Sequence, residues 1–188
     1  MKYGKRLRNE IEGTFPEWKG QFISYKKLKK QLKLIFPGSG RFGSTSRWPR
    51  FATRRFLEVN NMGIRIGFTR LLDNELNKIN RFYFDKEEDY IIRLKELQIR
   101  AANLQSDEEK LQVQKDILDF HGEMVLLLNY SVLNFTETGV VKIVKKHNKR
   151  TGTNFQFSSL PFFSTDLLYK LMKECETMLR RLFFPDDT

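Results

Sequence analysis

Residues 68–102, FTRLLDNELNKINRFYFDKEEDYIIRLKELQIRAA, decide the fold. Phe68, Leu72, Leu76, Ile79, Tyr83, Tyr90, Leu94, Leu97 and Ala101 recur at spacings of three and four, with Leu71 and Phe82 alongside. That period belongs to one face of a long helix, not to a strand. "QSDEEK" (105–110) interrupts it, and Ser106 followed by Glu109 makes a capping box for a second helix. This helix carries Leu111, Ile117, Leu118, Met124, Leu127 and Leu128 and runs to about Phe135. Two long patterns joined by so short a break predict an antiparallel helical hairpin.

Working outward, "GSGRFGSTSRWPRFATRR" upstream is rich in Gly, Ser and Arg. It predicts a linker or mobile loop over about 38–60, long for a compact domain. "GSGRFGS" lacks the lysine that a phosphate-binding loop needs before its Ser, and no strand precedes it. Before the loop, Phe22, Tyr25, Leu28, Leu32, Ile35 and Phe36 predict a helix stopped by Pro37-Gly38. Thr14, Pro16 and Glu17 read as its capping box, with Gly20 as a possible interruption. Leu7, Ile11 and Phe15 suggest a short first helix. At the other end, Ser164 or Thr165 caps a last helix, "DLLYKLMKECETMLRRLFF", ended by Pro185. The fold class is therefore all-α: an N-terminal helical hairpin packed on two long antiparallel helices, with short C-terminal helices, in a single domain over 1–188.

The 188 residues carry 34 Lys and Arg against 23 Asp and Glu, a net charge of +11. With 40 % hydrophobic residues and 17 Phe, the composition is globular and favours an anionic partner. One cysteine, Cys175, allows no intrachain disulfide and suits a reducing compartment, the nucleus or cytoplasm. It reads as a packing residue, since neither histidine is near it in sequence. The basic N-terminus has no apolar run behind it and does not read as a signal peptide. No stretch approaches the roughly 20 apolar residues of a membrane span.

The charge is not evenly spread. In "VVKIVKKHNKR" (140–150), Lys142, Lys145, Lys146 and Lys149 fall at i, i+3, i+4 and i+7, one helical stripe. Like charges at these offsets destabilise a helix. Val140, Ile143, Val144 and His147 form the opposite, packed face, and no acid lies between Val140 and Arg150. A solvated face usually mixes Glu with Lys, so this stripe points to an anion. In "SYKKLKKQLKLIF", Lys26, Lys27, Lys30 and Lys33 point away from the apolar stripe, while Lys29 sits between Tyr25 and Leu32 on the core side. A core-side ammonium needs either a partner or a stem that carries it outward. If the edge bearing Tyr25 and Lys29 meets the lysine stripe, the result is a pocket of ammoniums and a phenol without a carboxylate. A polyphosphate relieves its self-repulsion through charge-assisted hydrogen bonds. Free amides at the start of the lysine helix, near Thr138-Gly139, add donors.

"MKYGKRLRNEI", "PEWKGQFISYKKLKKQLK", "DFHGEMVLLLNYSVLNFT", "VVKIVKKHNKRTG" and "PFFSTDLLYKLMKECE" together strongly resemble the SPX domain, in particular the small plant proteins built of little else. The resemblance covers nearly the whole chain outside the loop. It implies the all-α architecture above and a ligand class, inositol polyphosphates and pyrophosphates that report phosphate status. It also implies a site. Tyr25, Lys29 and Lys146 form one phosphate-binding cluster; Lys142, Lys145 and Lys149 form an adjoining surface cluster; Lys2 lies near, and Lys30 is a further candidate. The chain departs from the family pattern N-[YF]-T-G in reading "NFTETG", with two extra residues before the lysine helix. In the plant group the resemblance further implies a liganded co-repressor that captures a MYB-type phosphate-starvation transcription factor with a coiled-coil segment.

Two rival readings follow from the charge alone: direct nucleic-acid binding, with a steep salt dependence, and binding to an anionic membrane. The family reading expects neither. An enzyme is not expected, because no nucleophile–base pair is visible. No metal site is expected either: His121 and His147 have no Cys or carboxylate at ligand spacing. Both histidines read as packing or surface residues.

Overall fold

The computed structural model describes residues 3–35, 54–135, 140–154 and 164–184. Six α-helices follow one another among them: α1 (Tyr3–Glu12), α2 (Tyr25–Leu34), α3 (Arg54–Ala102), α4 (Asp107–Phe135), α5 (Val140–Thr151) and α6 (Asp166–Phe183). A 3₁₀ turn, Pro16–Trp18, lies between α1 and α2. No strand occurs among the described residues, so the all-α expectation holds. The chain divides into two compact units, Met1–Ile79 with Asn134–Ser159 and Asn80–Leu133 with Leu160–Thr188.

The second unit contains the helical hairpin. Phe82 of α3 packs on Tyr130 of α4, Tyr90 on Phe120, and Arg100 pairs with Asp116. As the α3 number rises the α4 number falls, which defines an antiparallel pair. α6 runs antiparallel to α4 in turn: Gln114 donates to the Leu182 carbonyl (3.4 Å) and His121 lies 3.3 Å from Glu176. Tyr83, Tyr90, Leu94 and Leu97 are buried as the period requires. The α4 core differs from expectation. Leu111 (66 % exposed) and Leu118 lie outside, and Val113, Ile117, Phe120, Met124 and Leu127 form the buried row. Leu111 and Leu118 are seven residues apart, so they share a face, but α3 and α6 cover the other one.

The capping signals divide. Ser106 Oγ accepts from the Glu109 amide (3.1 Å) as the predicted box at α4 requires, while the Glu109 side chain reaches one residue further back, to the Gln105 amide (2.8 Å). The box at Thr14 does not form. Thr14 Oγ1 donates to the Ile11 carbonyl (2.7 Å) and finishes α1, leaving only a 3₁₀ turn after Pro16. α2 starts late, at Tyr25. Thr165 precedes α6 without a side-chain cap. α5 ends where Gly152, at φ 71°, donates its amide to the Asn148 carbonyl (2.8 Å). That left-handed conformation suits glycine.

Of the loop expected over about 38–60, residues 38–53 lie outside the described residues, and the chain is helical from Arg54 onward. Phe36, the Pro37-Gly38 stop, Thr138-Gly139 and Pro185 also lie outside them. Within Asp107–Thr151 one 18-residue window reaches a mean hydropathy of 1.2, long and apolar enough for a membrane span by composition, which corrects the expectation of no such stretch. Half of that window is buried inside the protein, as in a core helix. Cys175 is fully buried, and burial pushes its thiol pKa up to about 12, in keeping with a packing role.

Candidate functional site: a cationic recess between α2 and α5

The first unit places α2 against α5. Two buried rows make that contact. α2 contributes Leu28 and Leu32, followed by Ile35; α5 contributes Val140, Ile143, Val144 and His147. The predicted packed face of the lysine helix is therefore the observed one, and Lys142, Lys145, Lys146 and Lys149 are all exposed. His147 stacks on Phe68 of α3, with ring centroids 4.7 Å apart and 14° between planes.

Three polar contacts set the position of α2. The Ile23 amide donates to Asn134 Oδ1 (2.8 Å) and the Ser24 amide to Glu75 Oε2 (2.8 Å). These are backbone donors at the start of α2 that no helical carbonyl can serve. Glu75 also accepts from Lys78 Nζ (2.7 Å), which donates to the Phe22 carbonyl (2.8 Å). Burial pulls the Glu75 pKa upward, but the bonds from Lys78 and Ser24 outweigh it and hold the carboxyl below its usual range. At the other end, the Arg150 guanidinium donates to the Leu32 and Ile35 carbonyls. It serves the C-terminal carbonyls of α2 and offsets the negative end of the helix dipole.

Held this way, α2 and α5 wall a recess of about 110 Å³. Tyr25, Lys29, Lys33, Lys142, Lys146 and Arg150 supply its polar lining, over Leu32 and Ile143. None of these residues is acidic, and Lys29, Lys33, Lys142 and Lys146 make no salt bridge among the described residues. Lys29 Nζ stands 5.9 Å from the centre of the Tyr25 ring, within cation–π range. Burial raises the Tyr25 pKa, keeping the phenol a hydrogen-bond donor. A Cβ on Gly4 would stand 3.6 Å from Tyr25 Cδ1, so the first turn of α1 abuts the same ring.

The recess brings together Tyr25, Lys29, Lys142 and Lys146 of the predicted site. It does not include Lys145, Lys149 or Lys30, which are exposed elsewhere on their helices. Lys2 lies outside the described residues. Lys142 thus joins the Tyr25 cluster and not the adjoining one. It is one turn before Lys146 on the same edge of α5, while Lys145 and Lys149 occupy the next edge. Two further expectations are corrected. Lys29 is exposed, not core-facing: Leu28, Leu32 and Ile35 fill the buried face and Lys29 stands at its border, where its charge keeps water. Lys33 does not simply point away, because the α2–α5 packing turns its edge of the helix into the recess wall.

The sequence reading missed Lys33, Arg150, Asn134 and Glu75. Glu75 left a signal, an acid adjoining Leu76 and between Leu72 and Ile79 on the buried row of α3. Arg150 and Asn134 left none, because their partners are backbone groups more than a hundred residues away. His121 lies beside Glu176 in the other unit.

Fold and recess define a class: an all-α protein in which two short helices wall a lysine-lined recess. No protein-family model matches the chain. It is 48 % identical over 198 residues to SPX domain-containing protein 1 of Arabidopsis thaliana, covering 100 % of this chain and 73 % of that protein. It is 50 % identical over 195 residues to SPX domain-containing protein 1 of Oryza sativa subsp. japonica, and 40 % identical over 217 residues to SPX domain-containing protein 4 of Arabidopsis thaliana. Each of these alignments covers 97 % of this chain, and they cover 65 % and 68 % of the rice and Arabidopsis proteins, respectively. The chain belongs to the SPX domain family. It spans about two thirds to three quarters of the length of these relatives.

Proposed function

We propose that the recess takes an inositol polyphosphate or pyrophosphate, and that the liganded chain binds and inhibits a MYB-type phosphate-starvation transcription factor with a coiled-coil segment. On this reading the protein is a phosphate-status sensor acting in the nucleus or cytoplasm. It binds its ligand and does not turn it over. The observation that carries the reading is the convergence of cations from two separate helices on one recess without a carboxylate among its lining residues.

An empty recess of this kind repels itself, and charge-assisted bonds to phosphate oxygens relieve the repulsion. Lysine is a flexible point charge and accepts phosphates in several orientations. The recess, about 110 Å³, is equivalent to roughly four waters. That volume seats one or two phosphate groups of a larger ligand and leaves the rest at the surface, next to Lys145 and Lys149. Exposed phosphates reverse the local sign of a protein with net charge +11. A basic partner is repelled without the ligand and held with it.

Calorimetry with inositol hexakisphosphate, against duplex DNA at matched salt, tests the ligand. Tighter, saturable binding of the hexakisphosphate supports the reading; equal binding driven by salt alone favours the nucleic-acid alternative. A pull-down of a MYB-type factor, with and without an inositol pyrophosphate, tests the partner. Capture indifferent to the ligand, or ligand-dependent capture undiminished in Lys146→Ala, would sink the proposal.

A further inference from the structure

The packed side of α5 borders a second and larger opening, a groove of about 580 Å³ whose other wall is α3. Arg65, Thr69, Arg70 and Asp73 line it from α3, with His147 and Thr153 from α5 and the residues just after it. Four observations there go unused by the recess. His147 is only 6 % exposed, and neither ring nitrogen has a partner at full hydrogen-bond geometry among the described residues. Burial lowers its pKa, and only the adjoining Asn148 side chain is near enough to raise it. A buried imidazole so weakly served is costly, and a polar group from outside the chain relieves it. Arg70, exposed in the groove, makes no hydrogen bond or ion pair among the described residues, and neither does its neighbour Asp73. Arg65 spends one nitrogen on the Thr151 carbonyl (3.3 Å) and keeps its other donors. Met62 and Ile66, also in the lining, are 59 % and 53 % exposed, an apolar strip that no described residue covers.

We propose that this groove is a second ligand site, separate from the recess, for a small phosphate monoester carrying an apolar group. Two guanidiniums face one carboxylate, so the groove favours an anion. Guanidinium forks fit phosphate oxygens, and they do not lose their charge. The hydroxyls of Thr69 and Thr153 already donate to the Arg65 carbonyl (3.1 Å) and Asn148 Oδ1 (3.4 Å), so the remaining donors are those of the two guanidiniums and the imidazole, more than the two oxygens of a carboxylate accept. Met62 and Ile66 receive the apolar substituent. Asp73 opposes the phosphate and limits the affinity. Because His147 and the lysine stripe are opposite faces of the same helix, a ligand here holds α5 from the side away from the recess. The inference stands whether or not the recess takes an inositol polyphosphate.

The test is an NMR titration with phenyl phosphate, compared with inorganic phosphate, in the Lys142→Ala/Lys146→Ala protein so that the recess does not compete. The chain has two histidines, and His121 serves as an internal control. Saturable movement of the His147 ring signals and the Met62 methyl, with His121 still, is the expected result. Arg70→Ala weakens binding roughly ten-fold, Asp73→Asn tightens it, and phenyl phosphate binds better than inorganic phosphate. His147→Phe keeps the stack on Phe68 and the fold; read from Met62, it lowers the affinity. A groove left dry by both phosphates, Arg70→Ala and Asp73→Asn without effect, or equal affinity for the two phosphates overturns the proposal.

Discussion

The two units of the chain treat charge in opposite ways. Counted over their whole ranges, Met1–Ile79 with Asn134–Ser159 holds 23 Lys and Arg against 7 Asp and Glu, or +16. The other unit holds 11 against 16, or −5, and the two give the net +11. In the acidic unit, three cations meet carboxylates of the protein. Lys86 (3.5 Å) and Arg93 (2.7 Å) converge on Glu123, which also accepts from the Tyr90 hydroxyl (3.0 Å). Arg100 lies 2.6 Å from Asp116. In the basic unit, the carboxylate that is well served, Glu75, works on the backbone before α2, and the recess cations have no acid of their own among the described residues. Charges that build the fold are matched within it; charges left unmatched at one place are available to something else.

The largest expected effect lies in the acidic unit. Glu123→Ala takes the carboxylate from Arg93 and from the buried Tyr90 hydroxyl, and should cost about 3 kcal/mol in urea unfolding, most of it for the hydroxyl left unserved. Lys146→Ala, by contrast, should leave the empty protein as stable as before or slightly more so. If both changes destabilise equally, the contrast between the units fails. Next, inositol hexakisphosphate at a hundred times its dissociation constant should stabilise the protein by about 2.7 kcal/mol, less at high salt. An unmoved melting curve would refute the recess as its site.

Somewhat smaller is the effect on affinity. Lys29→Ala or Lys146→Ala should weaken hexakisphosphate binding roughly ten-fold or more, the loss of a charge-assisted bond worth about 1.5–3 kcal/mol. Lys27→Ala, exposed and outside the recess, should do little. Equal losses at Lys27 and Lys146, measured by calorimetry, would mean general attraction to a basic unit. The smallest effect concerns Glu75. Its folded pKa is depressed, so its contribution is present above the unfolded value and is lost as pH falls through the folded one. Glu75→Gln should cost about 1 kcal/mol at neutral pH and flatten the acid limb of the stability profile below about pH 4.5. An acid limb unchanged in the variant would show that Glu75 does not hold α2.

Much of this architecture was legible from local pattern. The row from Phe68 to Leu97 predicts one face of α3, and the face opposite the lysine stripe is buried residue for residue. Each of those readings depends on periodicity within a single helix, where an apolar row has to find cover. Reading failed where two elements compete for one signal. Thr14 has the spacing of a cap for the next helix, yet its hydroxyl closes the previous one. Leu111 and Leu118 are as apolar as Ile117, but α3 and α6 cover a different face.

The site divides the same way. By itself the sequence determined that α5 has a cationic edge and a packed edge, and that Tyr25 and Lys29 share one edge of α2, because helical spacing alone decides which side chains are neighbours. It could not determine which lysines meet across the gap. That followed from Asn134 and Glu75 holding the start of α2, and from Arg150 holding its end, through bonds to backbone groups. Such bonds leave no periodic trace, since every residue offers the same amide and carbonyl. Only the tertiary structure therefore decided that Lys142 and Lys33 enter the recess, that Lys145 and Lys149 stay outside it, and that Lys29 keeps its charge in water.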